Sequence, residues 1–310
     1  MDKIVIHAIG IRVVRVIDAI VNTAVLTIFF LLIAYSVYAI WDSDQVYHAA
    51  DAARYAVYKP TIEDEGISFE QLKSINSDVF AWLTVYGTGI DYPVTQGNDN
   101  MQYVNTNVYG DYSLSGSIFL DSYNSKKFDD FNSILYGHHM EKQAMFGDLD
   151  RFRDRNFFES HAYGNLYYAG EDHGLEFFAF IKTDAYDNSV FTPKVQGQAE
   201  RELLLKDLLS KALYIRNMDV TVEDHILLLT TCSSDTTNGR DVLVARITNE
   251  SYSDPFILEK TDNEYQLTAV DSRSSILDNI PLWVKLTVSM IFILLIIIIL
   301  VTIRNKRAKR

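Results

Sequence analysis

One cysteine stands among 310 residues, so neither an intramolecular disulfide nor a multi-cysteine metal cage can form. Positive charge is scarce. Lys and Arg number 28 against 41 Asp and Glu, giving a formal charge of −13. With a pI near 4.9, nucleic acid is excluded as the main partner, because phosphate binding needs clustered cations. No His-Glu-x-x-His or paired-cysteine pattern is present, and Asn98-Asp99-Asn100 lacks the spacing of a calcium loop. There is no internal repeat and no low-complexity tract. The 48% hydrophobic, 13% aromatic and 22% charged residues exclude wholesale disorder. The length allows one or two ordinary domains.

What the chain does have is a long apolar run near each end. Residues 19–41 carry no charge over 23 positions, and a helix needs about 20 apolar residues to cross a bilayer. Lys3, Arg12 and Arg15 precede the run and predict a cytoplasmic N-terminus of residues 1–18. The run exceeds the usual ~7–15-residue core of a signal peptide, which favours a retained anchor over a cleaved signal. Residues 286–303 form a second uncharged run of 18, followed by Arg304, Lys306, Arg307, Lys309 and Arg310. That predicts a span over 281–303 with a basic cytoplasmic tail over 304–310. Residues 42–280 then face outside the cell. They hold 19 basic and 39 acidic residues, a net −20 suited to a well-solvated domain.

Within that region, 42–66 is charged and tyrosine-rich with near-helical alanine spacing, and predicts a helical stalk. Ser68-Phe69-Glu70-Gln71 has capping-box spacing and predicts a second helix that Asn76-Ser77-Asp78 ends. Eight short β runs follow, at 79–85, 90–94, 117–120, 133–136, 164–169, 176–183, 225–231 and 241–247. That density predicts a closed barrel or a sandwich. One helix, 198–214, interrupts them, with Leu205, Leu208, Leu209 and Ala212 as its apolar stripe. Residues 251–280 are polar and aperiodic and predict a linker.

Cys232 ends the apolar strand His225-Ile226-Leu227-Leu228-Leu229-Thr230-Thr231 just where the chain turns polar. A lone cysteine is ordinarily a small buried hydrophobe. An external free thiol risks oxidation, however, and a strand end is a natural place for a reactive group. Its thiolate needs a partner. His138 and His139 follow Ile134-Leu135-Tyr136-Gly137, another apolar strand that ends at a glycine, so either histidine could face Cys232. Asn238-Gly239 is a tight-turn signal, and the returning strand would bring Arg240 to the cysteine's end of the sheet. A guanidinium there keeps its charge and offers several donors to an oxyanion.

These residues resemble a sortase, and specifically a class B sortase, the membrane-tethered cysteine transpeptidases of Gram-positive bacteria. The family signature Thr-Leu-x-Thr-Cys reads here as Leu228-Leu229-Thr230-Thr231-Cys232, with leucine in place of the first threonine. Residues 75–83, 90–94 and 116–121, Phe146-Gly147-Asp148-Leu149, Asn238-Gly239-Arg240 and the helix near 198–214 match class B features in order, over about residues 69–247. Tyr136-Gly137-His138 matches the histidine motif and so selects His138. The resemblance implies a mainly β protein: an eight-stranded sortase barrel with N-terminal helices and one inserted helix, spanning 67–250 between two transmembrane helices. It implies that Cys232 attacks the Thr–x bond of a C-terminal sorting motif on a surface protein. Arg240 then stabilises the oxyanion and holds substrate, and His138 shuttles the proton. Thr231 is a weaker candidate for shaping the oxyanion site. The acyl group passes to an amine of a peptidoglycan precursor or of a pilin lysine, and no cofactor or metal is required. A second, C-terminal span is more typical of the pilin-polymerising class C enzymes, so polymerisation of pilins stands beside wall attachment. A secreted-side thiol protease and a non-catalytic membrane scaffold are the readings from other classes.

Overall fold

The computed structural model describes residues 2–61, 66–233 and 237–256. The chain divides near Asp42 into two compact units. The described part of the first is the N-terminal stretch of helix α1 (Asp2–Ala50), whose side chains from position 9 through the apolar run are almost all exposed. From Ile9 onward α1 is long and apolar enough to cross a membrane. The second predicted span, the basic tail and most of the predicted linker lie outside the described residues.

The second unit runs from Ser43 and holds the barrel. The expected stalk is not one helix. α1 continues to Ala50, and two 3-10 turns follow at Ala52–Arg54 and Ala56–Tyr58. Asp51 redirects the chain by accepting a hydrogen bond from the Ala53 N–H at 3.0 Å, and Lys59-Pro60 stops further helix. Nor does this segment stand free, since Ala50 and Tyr55 are buried in the main core. Helix α2 (Ile67–Ile75) starts one residue before the predicted capping box. Gly66, at φ 75°, takes the N-cap position, and the Ser68 hydroxyl instead donates to the Lys59 carbonyl at 3.4 Å.

Among the described residues nine strands follow: β1 (Val79–Val85), β2 (Asp91–Thr95), β3 (Ile118–Leu120), β4 (Asn132–Tyr136), β5 (Tyr163–Tyr168), β6 (Glu171–Asp184), β7 (Ala212–Ile215), β8 (His225–Cys232) and β9 (Gly239–Thr248). Eight of them close a barrel in the order β5-β1-β2-β3-β4-β8-β9-β6, with β6 pairing back onto β5. These eight are the eight runs read from the sequence. β7 is additional and pairs with β6 beyond the stretch that β5 uses. The inserted helix, α4 (Gln198–Lys211), accordingly ends at Lys211 rather than at 214. The short helix α3 (Arg155–Ser160) is capped by Asp154, which accepts from the Phe157 N–H at 2.9 Å.

Alternation along the strands gives two cores. Leu135, Leu227, Leu229, Leu243, Ala245 and Phe177 belong to the cluster inside the barrel. Ile134, Leu228, Val242 and Val244 face outward beneath Leu204, Leu205 and Leu208 of α4. β8 is therefore buried on both faces, which explains its unbroken leucine run. Each such side chain contributes roughly 1.5–3 kcal/mol on burial. The stripe of α4 is rotated from the expected one: Leu204 is buried and Leu209 only half-buried.

Candidate active site

β4 and β8 run parallel with Tyr136 opposite Thr230, and the Gly137 N–H donates to the Thr230 carbonyl at 3.2 Å. His138 lies two residues past the end of β4, where the same register, continued, would run level with Cys232. On the other side, β8 and β9 are antiparallel, and Cys232 is the direct cross-strand partner of Arg240. Three adjacent strand ends thus carry His138, Cys232 and Arg240. Cys232 and Arg240 share the outer face with Thr230 and Val242, and alternation past Gly137 puts His138 there too. Cys232 is exposed; His138 and Arg240 are half-buried.

Gly137 serves this arrangement through space rather than through an unusual turn. A Cβ there would lie 2.7 Å from the Phe146 ring. Phe146 in turn donates its N–H to the His138 carbonyl at 3.0 Å, which holds the chain just after β4. The His138 ring is fixed as well. Its Nε2 donates to the Val104 carbonyl at 2.8 Å, since a carbonyl can only accept. Gly116 permits that carbonyl's position: at φ 57°, an added Cβ would fall 2.4 Å from the Val104 oxygen. With Nε2 committed, Nδ1 is the nitrogen left to exchange a proton. His139 is turned to other work, with its Nε2 3.4 Å from an Asp150 carboxylate oxygen.

Next to the three groups, Tyr136 stacks on Phe119 at 5.3 Å and donates to Asp121 Oδ2 at 3.0 Å. Burial and Asp121 push the Tyr136 phenol up, while Arg240 opposes them, so the phenol lies within reach of the guanidinium's field. Asn100 donates to the same carboxylate oxygen at 2.8 Å. Arg240 Nη1 donates to the Gly239 carbonyl at 3.0 Å.

Thr231 behaves differently. It is paired with Asp241 in the β8–β9 ladder and faces the barrel interior, 2% exposed, opposite to the cysteine. Its hydroxyl has no hydrogen-bond partner among the described residues. Arg153, which follows Phe152 at the end of the 3-10 segment Gly147–Arg153, reaches this inner side. It contacts Asp241 through Nε and Nη2, the shortest distance being 2.6 Å, and its Nη2 donates to Ser233 Oγ at 2.9 Å. In the sequence, Tyr136 and Asp121 figure only within matched motifs, and Arg153 and Asp241 carry no assigned role. For Asp241 a signal existed, because a carboxylate at an inward strand position demands a partner.

At one end the barrel gathers a thiol, an imidazole and a guanidinium, the groups that thiol-based acyl transfer needs. The Sortase domain family matches residues 83–248, so the chain belongs to the sortase family. Sortase B of Staphylococcus aureus is 35% identical over 185 residues, covering 58% of this chain and 74% of that protein. The solved structure of Clostridium perfringens sortase B superposes with a TM-score of 0.56 at 39% identity, covering 58% of this chain and 98% of that one. Sortase B from the type II pilus of Streptococcus pneumoniae gives a TM-score of 0.52 at 43% identity, covering 59% and 99%. Within the family the chain is a class B sortase, a cysteine transpeptidase acting on surface proteins with sorting motifs and on amine acceptors.

Proposed function

We propose that Cys232, His138 and Arg240 are the catalytic residues, and that the acceptor is an amine of the cell wall. The observation that supports this reading is the cross-strand pair Cys232–Arg240, with His138 two residues past the end of the neighbouring strand. The Cys232 thiolate attacks the carbonyl carbon of the threonine in the sorting motif. Arg240 donates to the oxyanion that forms. The C–N bond breaks, His138 protonates the departing amine, and a thioester remains on Cys232. The incoming amine attacks that thioester, His138 takes its proton, and the thiolate leaves as the new amide forms. Thr231 enters this reading only through its backbone, since its side chain lies on the other face.

The apolar N-terminal helix anchors the chain, and the acidic domain beyond it works on the outer surface, where exported proteins pass. The class of acceptor separates wall attachment from pilus assembly, which the name of the pneumococcal relative brings into view. The test uses a pool of fluorogenic peptides that share one fixed threonine, offered with triglycine or with a lysine-containing peptide. Ligation to triglycine and not to the lysine side chain is the expected outcome. Preference for the lysine ε-amine makes the enzyme a pilin polymerase, and hydrolysis alone makes it a thiol protease.

A further inference from the structure

The ion pair on the inner side of the β8–β9 hairpin has no part in the chemistry just described, yet it touches the neighbours of both reacting groups. Asp241 follows Arg240 and is 0% exposed. Ser233 follows Cys232 and is also buried. Arg153 binds both: Nε and Nη2 engage the carboxylate of β9, and Nη2 reaches the hydroxyl just past β8. A planar fork can hold two acceptors on two strands at once, which a lysine ammonium does less rigidly. Arg153 is itself secured. Phe152 is buried in the main core, and the Tyr214 hydroxyl of β7 donates to the Arg153 carbonyl at 2.9 Å.

A buried ion pair is poor evidence for stability, because desolvation offsets most of its attraction. Its better-attested use is to fix a geometry. Here the geometry held is the catalytic end of the hairpin, where β8 gives way to a loop. Beyond Cys232 the ladder is continued by the Ser233 N–H, which donates to the Gly239 carbonyl at 2.8 Å.

We propose that Arg153 is a positioning residue for transfer: from the inner face it locks Ser233 to Asp241, and so holds Cys232 and Arg240 opposite each other on the outer face. The inference rests on the assignment of Cys232 and Arg240 above. An error of about 1 Å at a reacting pair can cost on the order of 100-fold in rate, so a clamp of this kind acts on kcat rather than on binding.

The test uses the full chain in detergent, the best-cleaved peptide of the threonine pool, and triglycine. Arg153→Met with Asp241→Leu replaces the pair by apolar groups of similar size and avoids an unpaired buried charge. The double variant is expected to keep its circular dichroism and to melt near the parent. Its kcat is expected to fall about tenfold or more, with KM within about twofold. Arg153→Lys and Ser233→Ala each break part of the clamp and should lower kcat about threefold, leaving KM and melting in place. Parental kcat in a folded double variant overturns the proposal, as does a loss that only tracks the folded fraction. If the double variant does not fold, parental kcat in both milder variants overturns it. Cys232→Ala and Arg240→Ala run alongside. Transfer surviving in those two breaks the site assignment itself, a result distinct from failure of the clamp.

Discussion

The two faces of the β8–β9 hairpin carry opposite kinds of polar chemistry. On the outer face, Cys232 is exposed and Arg240 half-buried, with His138 one strand away. On the inner face, directly behind them, Asp241 and Ser233 are buried and held by one guanidinium. The outer groups are open to a substrate; the inner groups are satisfied within the protein. Strand alternation alone enforces the split, because neighbours along a strand must face opposite ways. A reactive side chain can therefore stay accessible while the residue beside it is fixed.

Breaking the outer face gives the largest effect. Cys232→Ala should reduce transfer by about 1000-fold or more, since no other thiol can form the thioester. Arg240→Ala should cost about 100-fold or more through the oxyanion, and His138→Ala about 100-fold or more through proton transfer. Product formation with triglycine measures all three. His139→Ala should stay within about threefold of the parent, and the reverse ranking of the two histidines would falsify the assignment.

Breaking the inner face by one partner gives a different signature. Asp241→Ala leaves a guanidinium with its main acceptor removed from a largely buried site. Removing one partner of a buried pair costs about 3–5 kcal/mol, and water reaching the partly exposed Arg153 places this case toward the lower figure. The urea midpoint should fall clearly. The matched apolar pair should recover most of that stability but not the rate, and this contrast separates holding the fold from holding the site.

The outer face was far more legible in the sequence than the inner one. All eight barrel strands announce themselves as apolar runs between turn residues, and Cys232, His138 and Arg240 each sit where such a run turns polar. β7 was lost because Ala212-Leu213-Tyr214-Ile215 follows the stripe of α4 with no breaker between them, so only pairing with β6 marks the change. The start of α2 was misplaced because a capping-box spacing competed with a glycine at positive φ, and the glycine won. Arg153 was invisible because Arg151-Phe152-Arg153-Asp154-Arg155 reads as a solvated charge run. Its partner is 88 positions away, and only closure of the barrel brings them together.

A polar group away from both faces gives a smaller, pH-dependent effect and serves as a control. His161 lies between the Phe157 ring at 3.7 Å and the Phe256 ring at 4.7 Å, where the chain after β9 returns over the barrel. Burial holds its pKa below the ordinary 6.5, with Arg151 adding to the shift. The fold thus favours the neutral ring. Its contribution is complete above pH 6.5 and is lost as the pH falls through the lowered value. The gap in thermal midpoint between parent and His161→Phe should therefore widen against the parent from pH 7 to pH 5. Transfer at pH 7 should be unchanged, because the site strands do not depend on this stack.

The smallest effect sharpens the comparison most, because it concerns the residue directly before the proposed nucleophile. Thr231 adjoins Cys232 in sequence, and the motif invites a role for its hydroxyl at the oxyanion. The structure turns that hydroxyl inward, where it is buried with no hydrogen-bond partner among the described residues. Thr231→Val keeps the branched shape and removes an unsatisfied group, whose burial costs about 1–3 kcal/mol. The variant should melt at or slightly above the parent and transfer at the parental rate. A loss of tenfold or more in kcat with an intact fold would mean that the hydroxyl reaches the outer face during turnover. The separation of the two faces would then fail at its most direct point.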